Sequence, residues 1–362
     1  MSDETFMQRA LALARRGEGL TRPNPPVGAV VVRNGRVVGE GWHRKAGGPH
    51  AEVYALRQAG ARAAGATLYV TLEPCSTWGR TPPCTEAVLN AGIRRVVAAV
   101  QDPNPAHAGR GLRGLRQRGV DVSSRLCEAE ARDLLAPFAK WILTMRPFVT
   151  LKMGMTLDGR IADASGGSRW ITGPAARRKV LALRQRVDGI MVGAGTLRKD
   201  NPTLRPNPSR GRAPWRIILA PDGRVPPESR VLSDGHAGQT LIVISRLAPA
   251  SRATALERTG ARVLRAQTKG RGLNLDAVMA ELGRMGLLHI LSEGGGEVAA
   301  SLIAAGLVDE YLLFVSPSFL GGSGRAVVGG QGWSMENRPR LVFASVERCG
   351  PDIMIRAKPI PL

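Results

Sequence analysis

Four residues in the first quarter of the chain have the types and spacing for metal-assisted hydrolysis. They are His50 and Glu52 in Pro49-His50-Ala51-Glu52, Cys75 in Thr71-Leu72-Glu73-Pro74-Cys75, and Cys84 in Gly79-Arg80-Thr81-Pro82-Pro83-Cys84. One imidazole and two thiolates are the ligand set of a catalytic zinc that keeps its fourth position for water. A Glu two residues after the His, with Pro before the first Cys, is the arrangement used to remove an amino group from a heterocyclic ring. The Glu is no ligand there. It carries a proton from the activated water to the departing amine. Each ligand type alone would more often be a core residue, but the four together outweigh that reading.

A second constellation lies far down the chain. Val192-Gly193-Ala194-Gly195-Thr196 and Asp200-Asn201-Pro202 precede Ser292-Glu293-Gly294-Gly295-Gly296-Glu297. The later glycines follow a strand-like run, Leu288 to Leu291, and open a helix-like run, Val298 to Ala305. Backbone N–H groups and a helix dipole hold phosphates in such turns. The Gly-x-Gly-x-x-Gly spacing is absent, so tight turns alone would also account for these glycines.

These residues require positioning elements. Glu4 to Arg16 has helical apolar spacing, and Val27–Val32 and Arg36–Gly39 flank Asn34-Gly35, a strong hairpin signal. A helix is expected from His50 to Ala59 and a strand from Ala66 to Leu72. Pro82-Pro83 should place Cys84 in the first turn of a further helix. Strand and helix then alternate through Arg95–Val100, Gly111–Arg118, Val120–Val122 and Glu128–Trp141. The pattern resets near residue 145, where Pro147-Phe-Val-Thr-Leu-Lys-Met opens a new strand. Two domains are expected, 1–145 and 146–362, which suits a chain of 362 residues.

The formal charge of +22 invites a nucleic-acid reading. Only seven of the 51 basic residues are Lys, however, and the arginines are spread along the chain with few aromatics among them to stack on bases. A solvated basic surface that attracts small anions is expected instead. No apolar run reaches the ~20 residues of a membrane span. The start, Met1-Ser-Asp-Glu-Thr, does not resemble a secretory signal. The protein is expected in the cytoplasm, with Cys127 and Cys349 as free thiols.

The eight residues between Cys75 and Cys84, reading Ser-Thr-Trp-Gly-Arg-Thr-Pro-Pro, resemble the deaminase half of the bifunctional deaminase–reductase family of riboflavin biosynthesis. The second constellation, with Lys152-Met-Gly-Met-Thr-Leu-Asp158-Gly-Arg, Ser168-Arg-Trp170-Ile-Thr, Leu183-Arg184 and Leu307-Val-Asp-Glu310, resembles the reductase half, in the same order and over essentially the whole chain. The resemblance implies an α/β protein: a cytidine-deaminase-like three-layer α/β/α domain, then a dihydrofolate-reductase-like α/β domain. It implies zinc on His50, Cys75 and Cys84 with Glu52 as proton carrier, and NADPH as the second cofactor. It places the cofactor against Gly154, Trp170, Thr196, Asp200 and the turn Gly295, Gly296, Glu297, Val298, Ala299, Ala300 and Ser301. The phosphoribosyl-pyrimidine substrate would meet Ser168, Arg184, Leu204, Asn207 and Glu293 in the second domain, and Asn24 and His43 in the first. A turn role for Asn24 and a cap role for Asp200 stay open. The resemblance further implies a homo-oligomer formed through the reductase domain.

Three positions depart from the family pattern. Asn207 stands where an Arg is usual, with Arg205 two residues earlier; Ala220-Pro221 replaces a polar pair after the strand Ile217–Leu219; Thr77 and Trp78 replace His residues after Cys75. The rival functions are a tRNA or other nucleic-acid deaminase with a fused basic domain, and a zinc-stapled structural domain that would not need Glu52.

Overall fold

The computed structural model describes residues 2–79, 82–206, 212–270 and 272–360. Asn207, Arg80 and Thr81 lie outside them. The chain forms two compact units, Met1–Met145 and Arg146–Leu362.

The first unit is built on five strands: β1 (Gly28–Arg33), β2 (Arg36–Trp42), β3 (Thr67–Val70), β4 (Arg95–Ala98) and β5 (Asp121–Ser124), in the order β2-β1-β3-β4-β5. Its helices are α1 (Asp3–Ala14), α2 (Ala51–Ala59), α3 (Cys84–Asn90), α4 (Arg110–Gln117) and α5 (Glu128–Thr144). Asn34 and Gly35 both take positive φ, 49° and 68°, so the β1–β2 hairpin closes through the type I′ turn that this pair favours. The strands β3, β4 and β5 run parallel, while β1 is antiparallel to β2 and β3.

Glycines set the layer spacing. A Cβ on Gly28 would lie 2.0 Å from the Ala10 carbonyl of α1, and one on Gly41 would lie 2.3 Å from the Ala51 carbonyl of α2. Gly41 pairs with Ala29, the neighbour of Gly28 on β1. Successive strand residues face opposite sides. The two helices therefore cover opposite faces, and three layers follow. The core between them is formed by buried residues such as Met7, Leu11, Val30, Val31, Leu68 and Val96.

The second unit holds a nine-stranded sheet. Its strands are β6 (Phe148–Thr156), β8 (Gly189–Gly193), β9 (Trp215–Leu219), β10 (Thr240–Ser245), β11 (Arg262–Ala266), β14 (His289–Ser292), β15 (Glu310–Ser316), β17 (Leu341–Cys349) and β18 (Asp352–Pro359). The order is β11-β10-β9-β8-β14-β6-β15-β18-β17. All neighbours from β11 to β15 pair in parallel, and the last two strands are antiparallel. Short ladders join β7 (Arg160–Ala162) to β16 (Arg325–Ala326) and β12 (Thr268–Lys269) to β13 (Gly272–Leu273). The helices are α6 (Pro174–Arg184), α7 (Ala194–Asp200), α8 (Arg230–Ser233), α9 (Ala250–Arg258), α10 (Leu275–Arg284) and α11 (Gly296–Ala304). The central strands β8 and β10 are buried along their whole length, as parallel strands covered on both faces must be. Among the described residues, no helix is long and apolar enough to cross a membrane.

Candidate functional sites

The sheet of the first unit brings the metal-type side chains together. His50 is the N-cap of α2, Glu52 sits in that helix's first turn, and Cys84 is the first residue of α3 behind its N-cap Pro83. Cys75 follows the end of β3. Their donor atoms lie within 4.8 Å of one another, with His50 Nδ1 3.2 Å from Cys84 Sγ and 3.5 Å from Cys75 Sγ. A tetrahedral zinc, about 2.3 Å from sulfur and about 2.1 Å from nitrogen, needs ligands roughly 3.5–3.8 Å apart. The trio fits such an ion with little movement.

Electrostatics at this cluster suit both metal and proton transfer. The hydrogen bond from the Cys84 thiol, assisted by the His50 ring, draws Cys75 down to about 4, and the same contact holds the proton on Cys84. A divalent cation held by these residues would replace that shared proton, because metals bind thiolates. Glu52 is only 3% exposed; burial first, then the charge on Cys75, raises it to about 7. A carboxyl balanced near neutrality can both take and give a proton.

A second ring of contacts aims these groups. His43 Nδ1 lies 3.0 Å from the Pro49 carbonyl, so it carries the proton, and Nε2 accepts from Asn24 Nδ2 at 3.1 Å. The His43 ring meets the His50 ring edge-on at 5.3 Å. With 2% exposure, His43 has almost no surface for a ligand, whereas half-buried Asn24 retains its Oδ1.

One carboxylate was not singled out from the sequence. Glu73, 5% exposed, accepts from the backbone N–H groups of Asp102, Gly109, Gly111 and Leu112 at 2.8–3.2 Å. It fastens the 102–109 loop and the start of α4 beside Cys75. On that loop His107 Nδ1 lies 3.4 Å from Thr77 Oγ1, at one of the departure positions. The sequence signal was an acidic residue inside an apolar strand end, where only hydrogen bonds can compensate burial.

In the second unit the two glycine turns face each other. A Cβ on Gly193 would lie 2.8 Å from Val298 Cγ2, one on Gly294 would lie 2.6 Å from Val298 Cβ, and one on Gly295 would lie 3.4 Å from Thr196 Oγ1. The close approach is possible only without side chains at these glycines, and backbone N–H groups at a helix start such as that of α11 suit a pyrophosphate. Gly296 has a different reason: its Cβ would meet the Ala326 carbonyl at 2.8 Å, and its own carbonyl accepts from Gly329 N. Glu297 also accepts from Gly330 N at 3.2 Å, so it braces the 326–330 loop.

The other expected residues are distributed as follows. Gly154 lies on β6 with Thr172 Cγ2 3.4 Å from its would-be Cβ. Trp170 is 70% exposed and stacked beneath the Arg177 guanidinium at 4.4 Å. The Asp200 carbonyl accepts from Arg169 Nη2 at 2.8 Å. Arg184 makes a bidentate pair with Glu293 at 2.6 and 2.9 Å, with Lys152 Nζ 3.7 Å away. Burial alone would push Glu293 up, but Arg184 and then Lys152 hold it below the usual carboxylate range. Arg184 is thus already engaged, which the sequence did not reveal. Leu204 is buried, Ser168 is half-buried, and Val298, Ala299 and Ala300 are wholly or partly buried along α11. Ser301 Oγ donates to the Glu297 carbonyl. Arg205, two residues before Asn207, has a buried Nε with no hydrogen-bond partner among the described residues.

Both units have counterparts among known proteins. Residues 1–100 match the cytidine and deoxycytidylate deaminase zinc-binding region, and residues 147–355 match the RibD C-terminal domain. The chain is 42% identical to the riboflavin biosynthesis protein RibD of Escherichia coli, over 98% of this chain and 99% of that one. The structure of Acinetobacter baumannii RibD superposes with a TM-score of 0.87 at 37% identity, covering 99% of each chain. A Thermotoga maritima diaminohydroxyphosphoribosylaminopyrimidine deaminase/5-amino-6-(5-phosphoribosylamino)uracil reductase superposes at 0.85, with 35% identity over 99% of this chain and 98% of that one. Matches to both domains, in order and over nearly the whole length, mean that the chain belongs to the RibD family of bifunctional riboflavin-biosynthesis deaminase–reductases.

Proposed function

We propose that residues 1–145 deaminate 2,5-diamino-6-(5-phosphoribosylamino)pyrimidin-4(3H)-one to 5-amino-6-(5-phosphoribosylamino)uracil, and that residues 146–362 reduce its ribosyl group to ribityl. The observation that carries the reading is the convergence of His50, Cys75 and Cys84 beside buried Glu52. Zinc and NADPH are the cofactors. Bound zinc supplies the Lewis acidity that makes water nucleophilic near pH 7. His50, Cys75 and Cys84 would hold it. The Glu52 carboxylate takes a water proton and gives it to the leaving amine, so that water and the ring amine become a ring carbonyl and ammonia. His43 fixes the His50 ring, and Asn24 Oδ1 is left to orient the pyrimidine.

In the second unit NADPH supplies hydride to the sugar carbon. Gly154 and Trp170 would border the nicotinamide, while Thr196, Asp200 and the Gly295–Ser301 turn would hold the phosphates. Ser168, Leu204 and the Arg184–Glu293 pair would receive the phosphoribosyl group, with Lys152 keeping Glu293 ionised. Asn207 replaces the usual phosphate cation, and Arg205 is the nearest substitute in sequence.

The enzyme is read as cytoplasmic, consistent with four unpaired cysteines, and as a homo-oligomer through the reductase unit. Supporting the latter, β17 is a sheet edge with Val342, Phe343 and Val346 more than half exposed, beside exposed Ile353 of β18. Such an apolar edge favours pairing with another strand. Light scattering of Phe343→Lys tests this, and an unchanged mass would reject the edge. The functional test is incubation with the diaminopyrimidine phosphate, with and without NADPH. Ammonia should be released in both cases and NADPH consumed only afterwards; NADPH oxidation without prior ammonia release would reject the order.

A further inference from the structure

We propose that a cavity at the carboxyl ends of β4 and β5, walled by Arg113, Arg116, Arg125 and Arg132, binds a phosphate-class anion at a site distinct from the metal-type cluster. The strands β3, β4 and β5 are consecutive and parallel, so their carboxyl ends share one edge of the sheet. Open α/β sheets receive ligands outside such strand ends. Cys75 follows the end of β3, and the cavity takes the next two ends along. It encloses about 160 Å³. Whole drug-sized ligands fill pockets of roughly 300–1,000 Å³, so this space suits a small anion or the terminal phosphoryl group of a larger molecule. The first N–H groups of α4 are not its donors, because Glu73 already takes those of Gly109, Gly111 and Leu112. Side chains must do the binding.

The lining holds four guanidiniums and one carboxylate, Glu128, and that carboxylate already accepts from Arg132 Nε at 2.8 Å. Arg116 Nη2 donates to the Val122 carbonyl at 3.2 Å, which anchors its guanidinium and leaves further N–H groups to spare. Arg113 and Arg125 are exposed and make no ion pair among the described residues. Gly109, at φ 73°, lets two donors meet: a Cβ there would lie 2.2 Å from Gln101 Nε2 and 2.7 Å from Arg113 Nη1. Neither nitrogen has an acceptor among the described residues, and two donors crowded over one place are balanced by an oxygen between them. Arg125 adds a second sign. Its φ is 75°, and its N–H is held by the Ala98 carbonyl at 3.0 Å. Left-handed residues other than glycine cluster at ligand clamps, where the surroundings fix them. Phosphate is the chemistry that answers this set. Guanidinium forks match its oxygens bidentately, its tetrahedral array accepts from several directions, and its double charge meets the surplus of cations. A planar, singly charged carboxylate would leave most of those donors unmet.

The test is calorimetric titration of the full, zinc-loaded chain with inorganic phosphate, methyl phosphate and pyrophosphate at fixed ionic strength and saturating NADPH. Arg113→Gln, Arg125→Gln and the double variant are compared with the unaltered chain, so that sites common to all four proteins cancel. Each single variant should weaken one binding event about tenfold, the loss of one hydrogen bond to a charged group, and the double variant should lose that event. Both side chains are exposed and unpaired, so thermal unfolding without added anion should stay as in the unaltered chain. Arg57→Gln removes an exposed arginine of α2 that does not line the cavity, and it should change nothing. Equal weakening by Arg57→Gln would reveal diffuse attraction to a basic surface and overturn the site. A double variant that keeps every binding event of the unaltered chain overturns it as well. Where the event is lost as expected, tighter binding of methyl phosphate than of inorganic phosphate assigns the site to a phosphomonoester, and the reverse order assigns it to free phosphate.

Discussion

The two units solve the problem of a buried carboxylate beside a reaction site in opposite ways. Near the metal cluster, Glu73 is satisfied by four backbone N–H groups, and Glu52 is left with little compensation, so it titrates near 7. In the second unit Glu293 is neutralised by a bidentate Arg184 and a nearby Lys152 and stays ionised. A proton carrier must be able to change state, and a group that shapes a pocket must not. The same division applies to the frameworks. Side chains carry the first site, while glycine backbone shapes the facing turns of the second unit.

The largest effect expected from breaking this comparison is at Glu52. Glu52→Gln should lower deamination by about 10²–10⁴-fold while zinc content stays the same. Reduction of separately supplied 5-amino-6-(5-phosphoribosylamino)uracil should be unaffected. Chelation of zinc should give the same split, measured as ammonia release against NADPH oxidation. Retained deamination in Glu52→Gln would mean that the triad is only a structural staple.

Next is Glu73→Gln, which loses charge-assisted hydrogen bonds to the α4 start and the 102–109 loop. It should cost about 2–3 kcal/mol in the unfolding of the first unit, read by denaturant titration, with NADPH affinity unaltered. An equal loss in both units would show that they do not unfold independently. Gly294→Val addresses the other framework: its side chain would collide with Val298, and overpacking of this kind costs roughly 1–3 kcal/mol. It should weaken nucleotide binding and leave ammonia release intact.

Much of this was legible in the sequence because both sites are tied to short local signals. The His50/Glu52 spacing, the Pro residues before Cys75 and Cys84, and Asn34-Gly35 each specify a local geometry, and helix α3 begins at Cys84 as Pro82-Pro83 implied. Elements at strand ends were less sharp. β3 spans only Thr67–Val70, and α11 starts at Gly296 rather than Val298, because Gly296 enters the helix and Gly295 is its N-cap. Long-range partnerships were not legible. The sequence offers no spacing that ties Glu73 to Gly109 or Arg184 to Glu293, 36 and 109 residues apart. His43 was read as lining a pocket, but its burial makes it a support for His50, a distinction that depends on how the Pro49 carbonyl is oriented.

The smallest expected effect concerns a half-buried imidazole with no catalytic part. His289, at the start of β14, has Nε2 2.9 Å from Thr150 Oγ1 and its ring edge-on to Phe148, and burial pushes it down to about 4. The unfolded chain binds this proton near 6.5, so between pH 6.5 and about 4 the unfolded state holds more protons than the folded one. Stability of the second unit should therefore fall as pH drops through that window and level off below it. His289→Gln, which keeps a hydrogen-bonding group near Thr150 but cannot titrate, should flatten the slope. Buried His43 gives the first unit a slope of the same sign, so the measurement must follow an unfolding signal specific to the second unit. Unchanged pH dependence of that signal in His289→Gln would assign the acid sensitivity to the carboxylates instead, with the Arg184–Glu293 pair the first to examine.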